Sequence, residues 1–67
     1  MEVYKCGTKA TTIIGNISGL ITGLIIRFKR VVYEFSYFND GKHYEVWLDE
    51  CELKFNKSVK QITIGYK

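Results

Sequence analysis

The chain of 67 residues contains no proline, two cysteines and one histidine. Two cysteines exclude the disulfide-dense framework of a small secreted domain. Cys6 and Cys51 can form one disulfide or stay free, and we expect buried or half-buried free thiols. Neither has another cysteine at metal-site spacing, so a zinc site would need both together with His43 and a carboxylate such as Asp49. We therefore expect no metal and no cofactor.

The excess of positive charge is also small. Ten Lys and Arg residues and seven Asp and Glu residues give a formal net charge of +3. Nucleic-acid modules usually carry a denser basic stripe, so this balance permits a nucleic-acid partner without indicating one. The hydrophobic share of 46% excludes a disordered chain. The length allows a single domain, residues 1–67, with a thin core, because a domain of this size buries only about 60% of its unfolded surface.

One long uncharged run, Ala10–Ile26, has Gly15, Gly19 and Gly23 at four-residue intervals. As a helix it would carry the small-residue spacing of packed membrane helices. The run is at the lower length limit of a span, includes several polar residues, and is rich in β-branched Ile and Thr, which favour strands. We expect strands here and no membrane partner. No signal-peptide pattern precedes the run, so we expect a cytoplasmic protein.

The clearest structural pattern is a hairpin. Residues alternate between apolar and polar from Val31 to Phe38 and from His43 to Leu48, with Asp40-Gly41 between them, a strong hairpin signal. With a two-residue loop, the numbers of paired residues add to 81. The apolar pairs are then Tyr37 with Tyr44, Phe35 with Val46, and Tyr33 with Leu48. A slip of one residue would mix apolar and charged positions, so this register is preferred.

No helix with a convincing cap and a 3.6-residue apolar stripe emerges, and the other segments also favour strands. The predicted elements are a short strand Ala10–Ile14, a turn at Gly15-Asn16, a long strand Leu20–Phe28 with a bend or bulge at Gly23, a polar turn Arg27–Arg30, one 3₁₀ turn at Asp49–Cys51, a strand Leu53–Phe55, and a last strand Val59–Tyr66 that pairs with Val3–Cys6 or a sheet edge. In the long strand, we expect Leu20, Thr22, Leu24, Ile26 and Phe28 on one face.

The order of these elements resembles an SH3-like barrel: an all-β fold of five to six strands with a central Asp-Gly hairpin and one short 3₁₀ turn. The segment from Tyr33 to Gly41, continued through Trp47 and Leu53, is similar to the central hairpin of Tudor and chromo-barrel domains. The chain is also similar to uncharacterised small proteins of bacteriophages and mobile elements. The residues that carry this likeness are Ile26-Arg27-Phe28, Tyr33-Glu34, Ser36-Tyr37-Phe38, Gly41, Trp47 and Ile64-Gly65-Tyr66. That resemblance implies a phage or mobile-element origin and no established activity.

Catalytic patterns are lacking. The single histidine, His43, has no cysteine placed beside it by spacing, and the glycines lack the lysine and the strand-to-helix context of a phosphate loop. The carboxylates Glu34 and Glu45 fit a solvated sheet face. We therefore expect a non-enzyme with no small-molecule substrate.

Binding is the expected activity, and aromatic residues are its basis. Phe38 and Trp47 lie on the more polar face of the predicted hairpin, where exposed aromatics indicate a contact surface. The alternative is that the N-terminal strand or the tail covers them. Three hypotheses stay open: a protein-interaction module or self-associating protein that uses these aromatics or a free strand edge, a nucleic-acid binder, and a structural or accessory component of a phage particle. The candidate binding residues are Phe38, Trp47, Tyr37, Tyr44, Arg27, Lys29, Arg30 and Lys42, the last four as phosphate contacts.

Overall fold

A computed structural model describes residues 2–64 of the chain. The elements are β1 (Glu2–Val3), β2 (Lys9–Thr12), β3 (Ser18–Arg27), β4 (Arg30–Asn39), β5 (Lys42–Asp49), a 3₁₀ turn (Glu50–Glu52), β6 (Leu53–Phe55) and β7 (Ile62–Thr63). The expected all-β class is confirmed, and the predicted 3₁₀ turn lies one residue further along the chain than expected. The described part contains seven strands rather than five or six, because Glu2–Val3 forms a two-residue strand in addition to the six predicted strands.

The strands form two antiparallel sheets. The larger sheet has the order β5-β4-β3-β2-β6, and the smaller sheet consists of β1 and β7. Consecutive strands from β2 to β5 are neighbours, and the chain then returns through the 3₁₀ turn to place β6 beside β2. β5 and β6 are therefore the two edges of the larger sheet.

The central hairpin of β4 and β5 has the predicted register. All its pairs, from Val32 with Asp49 to Asn39 with Lys42, have residue numbers that add to 81. Asp40 and Gly41 form the loop, with φ of 52° and 76°. Two successive positive φ values are what a tight two-residue hairpin requires, and Asp-Gly tolerates them well.

A bulge in β3 changes which of its side chains face the core. The register with β4 shifts between Ile21 and Gly23, as the glycine indicated. As a result Ile21 pairs with Phe35 and Leu24 pairs with Tyr33, so both lie on the core side. The expectation that Leu20 shares a face with Leu24 is wrong, because the extra residue at the bulge reverses the alternation.

The core lies on one side of the larger sheet. Its buried residues are Val3, Ala10, Ile21, Tyr33, Phe35 and Leu53. The Tyr33 hydroxyl accepts the Tyr4 backbone N–H at 3.0 Å and donates to a Glu50 carboxylate oxygen at 2.9 Å. The Tyr4 ring stacks on Phe55 with centroids 3.6 Å apart. Tyr33 thus ties the N-terminal segment and the 3₁₀ turn to the centre of the sheet.

The terminal strands pack on the core side. β7 pairs with β1, which confirms the predicted pairing of the tail with the N-terminal segment, although β7 is only two residues long. Val3 in β1 is fully buried. Gly65 and Tyr66, which the predicted last strand also included, lie outside the described residues. On the opposite side of β3, β4 and β5, Trp47 is 49% exposed.

Candidate functional site

The candidate site is the outer face, by which we mean the side of β3, β4 and β5 opposite the core. Cross-strand register and alternation place its residues in rows. It comprises Leu20, Gly23, Ile25 and Arg27 of β3, Arg30, Val32, Glu34, Ser36 and Phe38 of β4, and His43, Glu45, Trp47 and Asp49 of β5. The face is therefore mixed: apolar at its centre, with charged side chains around it.

Trp47, Ile25 and Val32 form an apolar group that we call the Trp47 cluster. Together with Arg27 they line an open pocket of about 350 Å³. The indole lies across β4 towards Gly23, where a Cβ atom would be 3.7 Å from its Cη2 atom. Because glycine has no side chain, position 23 leaves space for the indole to lie over the sheet. The exposed fraction of Trp47, 49%, makes it a large aromatic surface held by neighbours but open to solvent.

Hydrogen bonds and an ion pair fix the polar groups around the cluster. The Thr22 hydroxyl donates to Glu34 Oε1 at 2.9 Å. Arg30 forms an ion pair with Asp49, which also flanks the 3₁₀ turn. Arg30 thus has its charge balanced by a neighbour, and this lowers its value as a phosphate contact.

The aromatic candidates do not come together. Phe38 lies at the hairpin end of the outer face, is 76% exposed and packs its ring against His43 with centroids 5.0 Å apart. Tyr37 and Tyr44 stack at 5.3 Å, but on the core side of the same hairpin, where Tyr44 is 40% exposed. The structure therefore separates Phe38 and Trp47 from the two tyrosines, as the predicted register of the hairpin implied, because alternate residues of a strand face opposite ways.

The basic candidates lie at two separate turns. Arg27 and Arg30 pair across a two-residue turn that contains Lys29, whereas Lys42 flanks the Asp40-Gly41 loop at the other end of β4. All four basic side chains are exposed. Lys42 is thus remote from the cluster of the other three.

The turn between β3 and β4 also exposes a phenylalanine that the strand pattern missed. Phe28 was expected at the end of the long strand, but it occupies the turn with φ of 54° and is 89% exposed. Phe28 shares a pocket of about 360 Å³ with Trp47 and Arg27, so the Trp47 cluster continues to this turn. The predicted turn Arg27–Arg30 is confirmed, and Phe28 belongs to this turn and not to the long strand.

A serine and a histidine also come together on the outer face, as sequence reasoning did not foresee. Ser36 Oγ and His43 Nε2 are hydrogen-bonded across β4 and β5. The predicted register of the hairpin already implied this contact, because Ser36 and His43 are diagonal neighbours across β4 and β5. In the described residues no carboxylate hydrogen-bonds to His43, so the pair lacks the third group that orients a catalytic base.

The cysteines differ from expectation. Cys6 and Cys51 are free, but both are exposed rather than buried or half-buried, since one lies in a turn and the other in the 3₁₀ turn. Within residues 2–64, no group of three or more His, Cys, Asp or Glu side chains is placed to hold a metal ion. In the same range, no helix is long and apolar enough to cross a membrane.

Comparisons with known proteins give no match: no family model, no curated protein and no solved structure matches the chain.

Proposed function

We propose that this protein is a non-catalytic interaction module that binds a protein partner through the outer face, with the Trp47 cluster as the central contact. The observation that supports this is a tryptophan 49% exposed on a regular strand, packed beside Ile25 and Val32. Tryptophan in such a setting is the residue type most enriched among energetically dominant interface contacts.

The exposed indole surface is large enough to matter for affinity. An aromatic side chain buries 150–250 Å² in a full contact, so the open half of Trp47 offers about 100 Å². At about 25 cal/mol per Å², its removal from water contributes about 2–3 kcal/mol. Micromolar affinity needs about 8 kcal/mol, so Trp47 reaches it only with further contacts, which Ile25 and Val32 can supply.

The charges around the cluster favour a protein over a nucleic acid. Glu34 and Glu45 lie on the same face as Trp47, and Asp49 balances Arg30. Carboxylates beside a stacking platform repel phosphates, whereas a protein partner can place an apolar side chain on the indole and a lysine or arginine near Glu45.

Nucleic-acid binding is the second candidate, and its support comes from the turn between β3 and β4. Phe28 is 89% exposed there, between Arg27 and Lys29. An exposed ring with cations on both sides is an arrangement that binds single strands by stacking and phosphate contact. A salt titration with single- and double-stranded oligonucleotides tests it, because such binding weakens steeply as salt rises.

An SH3-like barrel is part of the same proposal. Its support is the antiparallel order β6-β2-β3-β4-β5, the 3₁₀ turn that joins β5 to β6, and the bulge that lets long β3 bend. A phage or mobile-element origin, including a structural or accessory role in a phage particle, rests on the sequence resemblance alone. No other part of the proposal depends on that resemblance.

The test selects peptides that bind the wild-type protein from a displayed library and compares their affinities for three variants. Trp47→Ala should weaken binding roughly 10- to 100-fold, as expected for a dominant contact. Ile14→Ala is the matched control, because Ile14 is a large exposed apolar residue near Leu48 and the 3₁₀ turn rather than on the outer face. Arg30→Gln tests whether the adjacent ion pair contributes. Equal affinity of the Trp47→Ala variant and the wild type would refute the proposal, provided that both are folded by circular dichroism.

A further inference from the structure

Strand β5 has an unpaired edge of eight residues. Among residues 2–64 it pairs only with β4, and it is one end of the five-stranded order. Asn39 and Lys42 flank the two-residue loop, so they form a hydrogen-bonded pair, and the even-numbered residues of β5 direct their backbone groups towards β4. The backbone N–H and C=O groups of His43, Glu45 and Trp47 consequently point outwards. Such an edge is a template for another strand.

We propose that the partner of this edge is a second copy of the chain, with the two β5 strands antiparallel about a two-fold axis at Val46. In this register the numbers of residues paired across the interface add to 92. Cross-strand complementarity of the β5 residues favours this dimer, whatever the Trp47 cluster binds. The resulting dimer would have one continuous sheet of ten strands.

The faces of the sheet restrict the choice of register. Residues paired in an antiparallel ladder point to the same face, so an odd-numbered residue of β5 must meet an odd-numbered one and the sum must be even. A sum of 90 places Glu45 opposite its own copy, and a sum of 94 places Glu45 opposite Asp49. Both oppose like charges, which destabilises a sheet. A sum of 88 places Lys42 opposite Val46 and Asp40 opposite Leu48, burying apolar surface against charge.

The sum of 92 sets no like charges opposite each other, and on the core side it sets no charged residue opposite an apolar one. Val46 meets Val46 of the second copy, and the exposed ring of Tyr44 meets Leu48, both on the core side. At each end of the paired segment Lys42 comes near Glu50, an opposite charge, which directly follows β5 in the 3₁₀ turn. On the core side, apolar residues therefore meet apolar ones at the centre of the interface. Opposite charges approach each other at its two ends.

This pairing has a consequence for the outer face. Trp47 of each copy lies opposite Glu45 of the other, so the two indoles become diagonal neighbours across the axis, about 7–8 Å apart at their backbones. Two separate Trp47 clusters then become one larger apolar surface. The other edge, β6, is three residues long and offers no comparable ladder.

Cysteine scanning tests the register directly. The background is the Cys6→Ser, Cys51→Ser double variant, into which one cysteine at a time is placed at position 44, 45, 46 or 47. Each position lies on the two-fold axis in one register only, and the sums of these registers are 88, 90, 92 and 94 in the same order. Under mild oxidation the Val46→Cys variant should give mainly disulfide-linked dimer, because a pair without backbone hydrogen bonds has Cα atoms about 4.5 Å apart, within disulfide range. Strongest cross-linking at another of the four positions would overturn the register.

A second measurement uses the chain without added cysteines, in case Val46→Cys unfolds. Sedimentation velocity should show a monomer–dimer equilibrium for the wild type. Lys42→Glu brings a carboxylate near Glu50 at each end of the ladder and should raise the dimer dissociation constant at least tenfold, whereas the neutral Lys42→Gln should raise it less. A wild type that is monomeric up to millimolar concentration would overturn the proposal, as would equal dissociation constants for the wild type and the Lys42→Glu variant. Peptide binding by Trp47 in a strictly monomeric protein would leave the proposed function intact while refuting the dimer.

Discussion

Replacing Tyr33 with phenylalanine tests how the core is tied to the rest of the fold. The ring is fully buried, and its hydroxyl bridges the Tyr4 N–H and the Glu50 carboxylate. Tyr33→Phe removes both hydrogen bonds and leaves the Tyr4 N–H without this partner, which costs about 1–3 kcal/mol. For a domain of this size each kcal/mol lowers the Tm by about 4–8 °C. We therefore expect the Tm to fall by roughly 8–16 °C at neutral pH, from a loss near 2 kcal/mol.

The same hydroxyl predicts a pH dependence. Burial, with the hydrogen bond to Glu50 and the repulsion from its charge, raises the pKa of Tyr33 from 10.0 to about 12. The folded state therefore holds this proton at pH values where the unfolded chain has released it, so stability falls as pH rises through that interval. Its contribution is complete below pH 10 and is lost by about pH 12, and this shift of the Tyr33 pKa corresponds to about 3 kcal/mol of stability.

The assay is urea unfolding followed by circular dichroism, repeated from pH 7 to pH 12 for the wild type and Tyr33→Phe. The wild type should be more stable at pH 7, and this advantage should shrink to near zero by pH 12, because only the wild type carries the buried titrating hydroxyl. Tyr37→Phe is the matched control, since Tyr37 is half-buried and stacks on Tyr44 without a described hydroxyl bond. A stability difference that stays constant with pH would refute the reasoning, as would equal stability at pH 7.

Three further outcomes test other parts of the structure. Gly19→Ala should lower stability by about 1–3 kcal/mol in thermal unfolding, because the new Cβ would meet the Phe35 ring at 2.8 Å and also the Ser36 carbonyl oxygen. Gly23→Ala is its counterpart and should cost less than Gly19→Ala, since the nearest atom would be 3.4 Å away; equal losses would contradict the packing described. Arg30→Ala should change the free energy of unfolding by less than about 1 kcal/mol, because its ion pair is exposed to solvent, and a larger loss would show that the pair is structural.

The hairpin could be predicted because its information is local. Asp40-Gly41 specifies the loop, and the division of apolar and polar residues specifies one register among its neighbours. The bulge at Gly23 was also foreseeable in position. Its effect on the faces was not, because the placement of the extra residue depends on the partner strand, and only the register with β4 shows that Ile21 and Leu24 share a side.

The candidate site was predicted in part. The alternation placed Phe38 and Trp47 on the polar face of the hairpin, and both are exposed there. Whether a terminal strand covers Trp47 could not be decided from the sequence, because it depends on long-range packing of β1 and β7 on the core side. The sequence placed Phe28 in both the long strand and the turn Arg27–Arg30, because its apolar side chain continues the strand pattern, and its positive φ assigns it to the turn.

The proposed function depends on the open surface that Trp47 presents on the outer face of the isolated protein. Acrylamide quenching of fluorescence measures this directly, because the chain contains one tryptophan. At low protein concentration, the quenching constant of the folded protein should be roughly half that of the same chain in denaturant, as the exposed fraction of 49% implies. A quenching constant near zero in the folded protein would mean that the indole is buried, and would contradict the account.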